Sequence, residues 1–540
     1  MQIFYRIFFL SLINLGVLAC SRPTDADSLR KLYPISGSKL EGSVENNQES
    51  FEELGERDSS LLWRREFVEH SSFEPEFRIF VSSSQGSDAN DGLSADRPVQ
   101  SLQRAVSIAQ SRSLPDYEAS FQLLLRSGDV FDGENLGDSS RTGNSIWTMK
   151  GRSLEAPILI SYYGAGDRPV ISPHGRSAIR FWGEAQNIIV KGIKFNPLSR
   201  DPNEASFDLY APEFWGIEVM FGARNIRIED CVFTNLTLGV YLSSGGGSLR
   251  PQDIMLFRNT FARSWANSMN NYQFRAFGVL GGGIRRVELV ENSFIQNGWH
   301  PQIFTAIPTG YSHNVYLSGE AEDLVLERNW FLDAASMGVK MRSEGFYQFL
   351  NIRINDNIFA YNPIGLGLGV SDLPEALQYT DFEIKRNIIT EGGELGALPP
   401  YGATNWGMTF GSGRNGVIED NLIVQNPISI NPQAIRLDAY PNQNVIFRSN
   451  IIHGFSGYSG ILNQATEGVS MINNLVQTPT SGDSFVDSQY RFQSYVAELG
   501  LENKESFFDL LMNRPKAAWS SEYSTQTPRT RFRNAYSLPQ

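Results

Sequence analysis

Cysteine is nearly absent: 540 residues carry only Cys20 and Cys231, so no disulfide framework can be built. Histidine is scarce too, with five residues, and of these only His300 and His313 lie close together. Long apolar runs are missing apart from Ile7 to Val17, broken by Ser11 and Asn14, which is too short to span a bilayer. Basic residues are outnumbered 46 to 59, giving a net charge of −13. That balance argues against nucleic acid or anionic membrane surfaces as general partners, although a local basic groove can still accept a polyanion.

The early apolar run follows Arg6 and reads as a secretory signal over residues 1–19. Its end, Val17-Leu18-Ala19-Cys20-Ser21, resembles the bacterial lipoprotein lipobox, with Leu18 a less usual occupant of its position. The resemblance implies that Cys20 is lipidated and becomes the first mature residue. An ordinary signal whose cleavage site happens to include a cysteine is the other reading. Ser21 is compatible with outer-membrane sorting in the resembling lipoproteins. The expected location is therefore the bacterial envelope, with a lipid anchor in the outer membrane. Residues 20–76 are polar, rich in Ser, Glu and Asp and without sustained periodicity, which suits a tether.

What is abundant is one repeated pattern. Asp323 to Arg342 holds a short alternating run (Leu324, Leu326), an Asn at 329 followed by an aromatic, and a second alternating run (Val339, Met341). Two period-2 strands separated by a turn are implied. Versions of it are centred on Asn259, Asn292, Asn357, Asn387, Asn421, Asn450 and Asn474, with Cys231 at the equivalent point of an earlier copy. A degenerate copy, Ile189 to Phe195, precedes them all. The spacing, roughly 24 to 38 residues, fits a β-solenoid whose inserts fall in loops.

An Asn at the same place in every rung has two readings. Stacked about 4.8 Å apart, each carboxamide can donate to the next and accept from the previous one, so the column satisfies itself. Alternatively, each Asn is a turn former in left-handed geometry. Cys231 interrupts the column with a small side chain that tolerates burial.

At these repeats the chain resembles the right-handed parallel β-helix superfamily, which includes pectate and alginate lyases and polygalacturonases. The fold class expected is all-β: a single-stranded parallel β-helix over residues 77–479, with an N-terminal helical cap and, over 480–540, a C-terminal cap and helical tail. Phe77 to Val81, then Gly86 to Gly92, then a helix from about Ser101 to Gln110 resemble the entry motif of secreted β-helices. Such a helix would cover the first rung, which otherwise exposes unpaired backbone groups. Strands follow at Leu123 to Leu125 and at Pro157 to Gly164, and helical spacing returns at Ser488 to Leu499 and Lys504 to Met512. Asp88, Asn90 and Asp91 have the oxygen-rich look of a calcium loop. The Glu that would close an EF-hand-type loop is missing, so turn chemistry is favoured and no metal or cofactor is predicted.

Alternation also places candidate chemistry. Val339 and Met341 should face inward and Lys340 and Arg342 outward. The preceding rung puts Tyr316 and Ser318 outside, so Tyr316 should stack on Lys340 and Ser318 on Arg342. Tyr241, two rungs before Tyr316, and Thr409 and Arg436 later should continue the column. His313 opens its strand beside a long turn holding Trp299, His300 and Tyr311. The group suits β-elimination on an acidic polysaccharide, which needs a base, a cation for the developing enolate and an acid for the leaving oxygen. Lys340 or His313 would be the base, Arg342 the carboxylate clamp and Tyr316 the acid. Trp299, His300, Tyr241 and Arg436 would bind substrate. The opposing reading is that these are ordinary outward strand residues, since every rung must put something polar outside.

Two further functions stay open. Glycoside hydrolysis needs two carboxylates at a set separation. Polygalacturonase-like β-helices carry adjacent Asp residues, and this sequence has no Asp-Asp pair; His453-Gly454 and Val339-Lys340 match only fragments of that family's other motifs. Nor is there an Asp cluster like that of calcium-dependent pectate lyases. A non-catalytic glycan-binding or structural surface protein is the other option: Tyr210, Phe214, Trp215, Trp265, Tyr272, Trp299, Tyr401 and Trp406 fall in expected turns, where rings can stack on sugars or simply close loops over the core. The expected partners are a polysaccharide and, through Cys20, a membrane; no nucleic acid and no second subunit are implied.

Overall fold

Asn329 sits at the corner of one rung, and its neighbours in space are Asn292 and Asn357 from the rungs on either side. That stacking repeats along the chain. A computed structural model describes residues 73–535, except 114–117, 135, 137–147, 174, 268–274, 344–346, 370–377, 393–404, 425–431, 438–440, 455–460, 464–466 and 478–490. The signal and lipidation expectations at residues 1–20 and most of the tether lie outside the described residues, as do Tyr272 and Tyr401.

Three parallel sheets run the length of a right-handed β-helix. The first has 13 strands, from Phe77–Val81 to Val469–Ile472; the second has 12, from Val130–Asp132 to Leu475–Gln477; the third has 10, from Ser177–Trp182 to Ile461–Asn463. Each full rung supplies one strand to each sheet. Inward residues such as Ile226, Ile254, Val287, Leu324, Ile352 and Phe382 stack through the first sheet and are buried. In the second sheet Phe195, Phe233, Phe261, Phe294, Phe331 and Phe359 form a file with ring centroids 4.7–5.1 Å apart. That spacing is the rung repeat itself, so each aromatic both fills the interior and fixes register.

The asparagines form the ladder. From Asn259 to Asn450, each Nδ2 donates to the next Oδ1 at 2.8–3.1 Å. The same oxygen accepts the preceding Asn backbone N–H at 2.9–3.1 Å. The second Nδ2 hydrogen goes to a strand carbonyl, as from Asn357 to Leu326 at 2.9 Å. The left-handed residue of the turn is the one before each Asn: Arg328, Asp356 and Arg386 have φ of 55°, 62° and 54°. The turn-former reading therefore belongs to the neighbour. Cys231 takes the column position at one rung, its backbone N–H donating to Asn259 Oδ1 at 2.9 Å.

At the N-terminal end, helix α1 (Leu102–Arg112) is capped by the Ser101 side chain, which accepts from Arg104 N. It buries Leu102, Ala105, Val106, Ile108 and Ala109 in the same core cluster as Ile79 and Val81 of the first strand. The acidic turn before it is spent on this cap: Asp88 accepts from Gln100 N, Ser101 N and Ser101 Oγ, and Asp91 accepts from Leu93 N.

The C-terminal segment holds α2 (Phe492–Glu498), α3 (Lys504–Met512) and α4 (Gln526–Ala535). These helices form a strap along the outer face of the second sheet. Trp330 packs against Phe492, Tyr495 and Phe507, and its Nε1 donates to Tyr523 O at 2.9 Å. At the far turn of the strap Arg514 reaches Asp230, which also binds Arg168, at 2.6 and 2.8 Å. Leu475 and Val476 of the last rung remain exposed, so the described helices brace the side of the coil.

Candidate functional site on the third sheet

Parallel pairing without slippage converts alternation into a column. In the third sheet Arg180, Glu218, Tyr241, Leu280, Tyr316, Lys340, Gly367, Thr409 and Arg436 are successive register partners. Nine rungs at about 4.8 Å give a face roughly 38 Å long. Tyr316 lies beside Lys340 and Ser318 beside Arg342, the pairing expected from sequence, and Tyr241 and Arg436 belong to the same column.

Three cation–aromatic pairs punctuate this face. Lys340 Nζ sits 5.1 Å from the Tyr316 ring centroid, Arg176 lies 3.4 Å over Trp215, and Arg436 lies 4.5 Å over Trp406. Each is worth about 0.5–2 kcal/mol, depending on desolvation. Each also sets a positive group beside a flat apolar ring.

Around Tyr316 the packing is tight. Tyr316 groups with Phe277, Leu238 and Trp215 in an apolar cluster on the outer face, with Tyr241 and Leu280 against it. His313 is fully buried between Phe277, 5.9 Å away, and Tyr316, 5.5 Å away. Its Nδ1 accepts the Met337 N–H at 3.3 Å, so the neutral ring carries its proton on Nε2. That Nε2 has no partner among the described residues. Burial first, and then the nearby Lys340 and Arg275 cations, hold the His313 pKa well below the usual histidine range. His313 is thus a neutral donor in this arrangement, and the free lone pair a base requires is already occupied.

Toward the N-terminal end Glu218 is buried and closed off. It accepts from Ser177 Oγ at 2.7 Å and pairs with Arg180 at 2.6 Å and Arg176 at 3.3 Å. Trp215 meets Tyr241 edge-on at 5.1 Å. Burial raises the Tyr241 phenol above its ordinary value, so it stays protonated. Sequence reasoning missed Glu218, Arg176 and Arg180 and placed Trp215 in a turn, whereas it opens the strand Trp215–Met220. The missing signal was the Asn: these rungs lie before the ladder begins, although Gly216-Ile217-Glu218-Val219 alternates as later strands do.

Trp299 and His300 do not join this face. They start the excursion between Gly298 and Ser312, where Trp299 Nε1 donates to Asp333 O at 2.8 Å. His300 lines a cleft of about 810 Å³ between the second sheet and the strap, together with Arg263 and Lys516. Two residues close in sequence to His313 are thereby separated from it, because a solenoid loop can leave one sheet and return to another. Trp265 likewise closes a loop: it is fully buried, with the Arg200 guanidinium 3.8 Å over its ring. Among the described residues no group of three or more His, Cys, Asp or Glu side chains converges to hold a metal ion.

No family model and no curated protein matches the chain. Among solved structures it is similar to a rhamnogalacturonan lyase, at 14% identity with 84% of this chain and 98% of that chain covered and a TM-score of 0.41. It is similar also to the A-module of the mannuronan C-5 epimerase AlgE4 of Azotobacter vinelandii (16% identity, 74% and 96% covered, TM-score 0.42). A third is the GH136 lacto-N-biosidase of Eubacterium ramulus (13% identity, 75% and 68% covered, TM-score 0.41). The parallel β-helix itself is carried by the chain's own three sheets.

Proposed function

We propose that this protein acts on an acidic polysaccharide laid along the outer face of the third sheet, and that its reaction is β-elimination. The observation that carries the reading is a set of three cation–aromatic pairs spaced along one sheet, Tyr316 with Lys340 on the column itself and Arg176 with Trp215 and Arg436 with Trp406 toward its two ends. Rings suit the apolar faces of sugars, and the cations suit their carboxylates. In the middle pair Lys340 rests as a cation; after it gives a proton to solvent, a step the neighbouring Arg342 charge favours, it takes the proton from the carbon beside the substrate carboxylate. The electron pair left behind forms the new carbon–carbon double bond as the glycosidic C–O bond breaks, and the Tyr316 phenol protonates the departing oxygen. Arg342 holds the carboxylate as charge moves onto it. His313 serves as a buried donor beside this group, not as the base; an unmet buried donor costs about 1–3 kcal/mol, which a functional role accounts for.

Carboxylate-pair hydrolysis fits this face poorly. Among its described outward strand positions the one carboxylate is Glu218, already engaged by two arginines and a serine. Binding without turnover is the second reading, favoured by the same pairs, which need no proton transfer to hold a sugar chain. Incubating the purified chain with uronate-containing and neutral polysaccharides, and scoring unsaturated products and new reducing ends separately, decides among them. Unsaturated ends support elimination, reducing ends alone support hydrolysis, and saturable binding with neither supports the binding module. The same proposal places the protein in a bacterial envelope through a lipid on Cys20. A Cys20→Ser chain that still partitions with membranes sinks that part of it.

A further inference from the structure

The cleft that takes in His300 is separate from the third-sheet face. Its floor is the outer surface of the second sheet, where Val170, Lys194 and Val232 are register partners. The far turn of the strap supplies Met512, Arg514 and Lys516. Five basic side chains line it against three aspartates, and Asp230 behind two of the arginines leaves a net of plus one in a chain whose overall charge is −13.

Most of these charges are committed. Arg514 and Arg168 share the buried Asp230, and Arg263 faces Asp509 at 3.5 Å. Lys516 Nζ donates to Ser127 Oγ at 2.7 Å and to Asp167 O at 3.2 Å. Asp201 accepts from Asn196 and Asn203 side chains at 2.9 and 3.1 Å. Lys194 is different: its half-buried ammonium has no hydrogen bond or ion pair among the described residues, and it stands between two valines. His300 adds a neutral imidazole whose Nδ1 accepts from Gln302 N at 3.2 Å, leaving Nε2–H as a donor. Burial, and then the neighbouring Arg263, lowers its pKa to about 3.

We infer that this cleft is a second ligand site, for a carboxylate-bearing sugar of one or two residues, with Lys194 as the cation that meets the carboxylate. A volume of about 810 Å³ far exceeds a bare inorganic anion and lies within the usual range for small-ligand sites. The valines and Met512 offer an apolar surface for a ring face, and His300 Nε2–H offers a donor for a hydroxyl. The choice of a sugar acid over other carboxylates rests on the polysaccharide reading above; the anion preference rests on the lining alone. The ligand is bound here, not transformed.

Calorimetric titration of the full chain with a digalacturonate, a neutral galactose disaccharide and inorganic phosphate tests this. Digalacturonate should bind, the neutral disaccharide should bind at least about tenfold more weakly, and Lys194→Gln should weaken digalacturonate by roughly tenfold, the worth of one charge-assisted contact. Binding at the cleft should survive Lys340→Ala even where that variant abolishes turnover and any binding on the third sheet, and the binding that survives is what Lys194→Gln should weaken, so the two sites fail separately. Unchanged digalacturonate affinity in a folded Lys194→Gln chain overturns the assignment, as does absence of binding in the parent. Phosphate binding as tightly as digalacturonate overturns the sugar. Asn203→Ala, which changes the rim and leaves the strap anchors untouched, should weaken digalacturonate as well; no change there counts against the placement.

Discussion

Replacing Asn357 by alanine removes four hydrogen bonds at the centre of the ladder. Its Oδ1 accepts from Asn329 Nδ2 at 3.0 Å and Asn329 N at 2.9 Å, while its Nδ2 donates to Asn387 Oδ1 at 3.0 Å and Leu326 O at 2.9 Å. Asn387 Oδ1 keeps the residue-357 backbone N–H, so the damage lies on the other side. There the Asn329 backbone N–H and one of its amide hydrogens are stranded in a buried column. At about 1–3 kcal/mol for each unmet buried donor, the loss is about 2–6 kcal/mol. At the ladder's end, Asn474→Ala disturbs a half-buried site where water replaces the lost partners, and should cost about 1 kcal/mol or less. Comparing urea midpoints of the two variants checks the difference, and hydrogen exchange locates it: the Asn329 amide should lose protection in Asn357→Ala. Equal losses for the two variants, or an unchanged Asn329 amide, would falsify the ladder as a source of stability. Cys231→Asn runs the experiment in reverse. The Cys231 Sγ already lies 3.7 Å from Val190 O, matching the carbonyl that each ladder Asn uses, and its backbone N–H already meets Asn259 Oδ1. A carboxamide there extends the column by one rung and should be neutral or stabilising by up to about 1 kcal/mol.

On a substrate that yields unsaturated ends, Lys340→Ala and Tyr316→Phe should each lower turnover by about 10²- to 10⁴-fold. Tyr316→Phe keeps the ring under the ammonium, so its effect isolates the phenol; full turnover in either variant removes that residue from the mechanism. Acid should destabilise the fold below pH 6.5. His300, with its pKa near 3, and His313 both exclude in the folded state a proton that the unfolded chain takes up. Their stabilisation is complete above the unfolded value and falls by about 1.4 kcal/mol per pH unit for each histidine as pH drops below it. Urea midpoints at pH 7 and pH 5 should therefore differ, and His300→Gln should flatten part of the slope; identical midpoints in the parent refute the effect. Asp230→Asn keeps a residue type that tolerates the left-handed backbone at φ 52° but strips the charge shared by Arg168 and Arg514. Leaving two buried guanidinium groups without it should cost about 3–5 kcal/mol and expose the strap to proteases near residues 513–520. A strap as resistant as the parent's would show that its helices hold without that anchor.

These experiments separate what is repeated from what is not, and the same division governs how far the sequence could be read. Tyr316 could be paired with Lys340 before any coordinates because the runs Val315 to Ser318 and Val339 to Arg342 alternate alike and belong to successive rungs. Asn292 lies 24 residues before Tyr316 and Asn329 only 11 before Lys340, so the loop between is absorbed outside the sheet and leaves the pairing of the two runs intact. Recognition of a rung fails where its Asn is absent. The strands Ser177–Trp182 and Trp215–Met220 lie before the first ladder Asn, so Glu218 and Arg180 entered the column unseen. It fails again in loops. His300 and His313 are thirteen residues apart yet belong to different faces, since the segment between them is held by contacts that follow no period, Gly298 close against Ser312 and Ile303 and Ala306 packed on Trp265. The strap fails for a third reason. Two of its three helices were legible as helices, with Lys504–Met512 matching its expected bounds, but where they dock depends on Trp330 and Asp230, which lie far away in sequence and within no period. Periodicity therefore yields neighbours along the coil axis, and says nothing of what is laid across it. That is why the third-sheet column could be proposed from sequence, whereas the cleft under the strap required the coordinates.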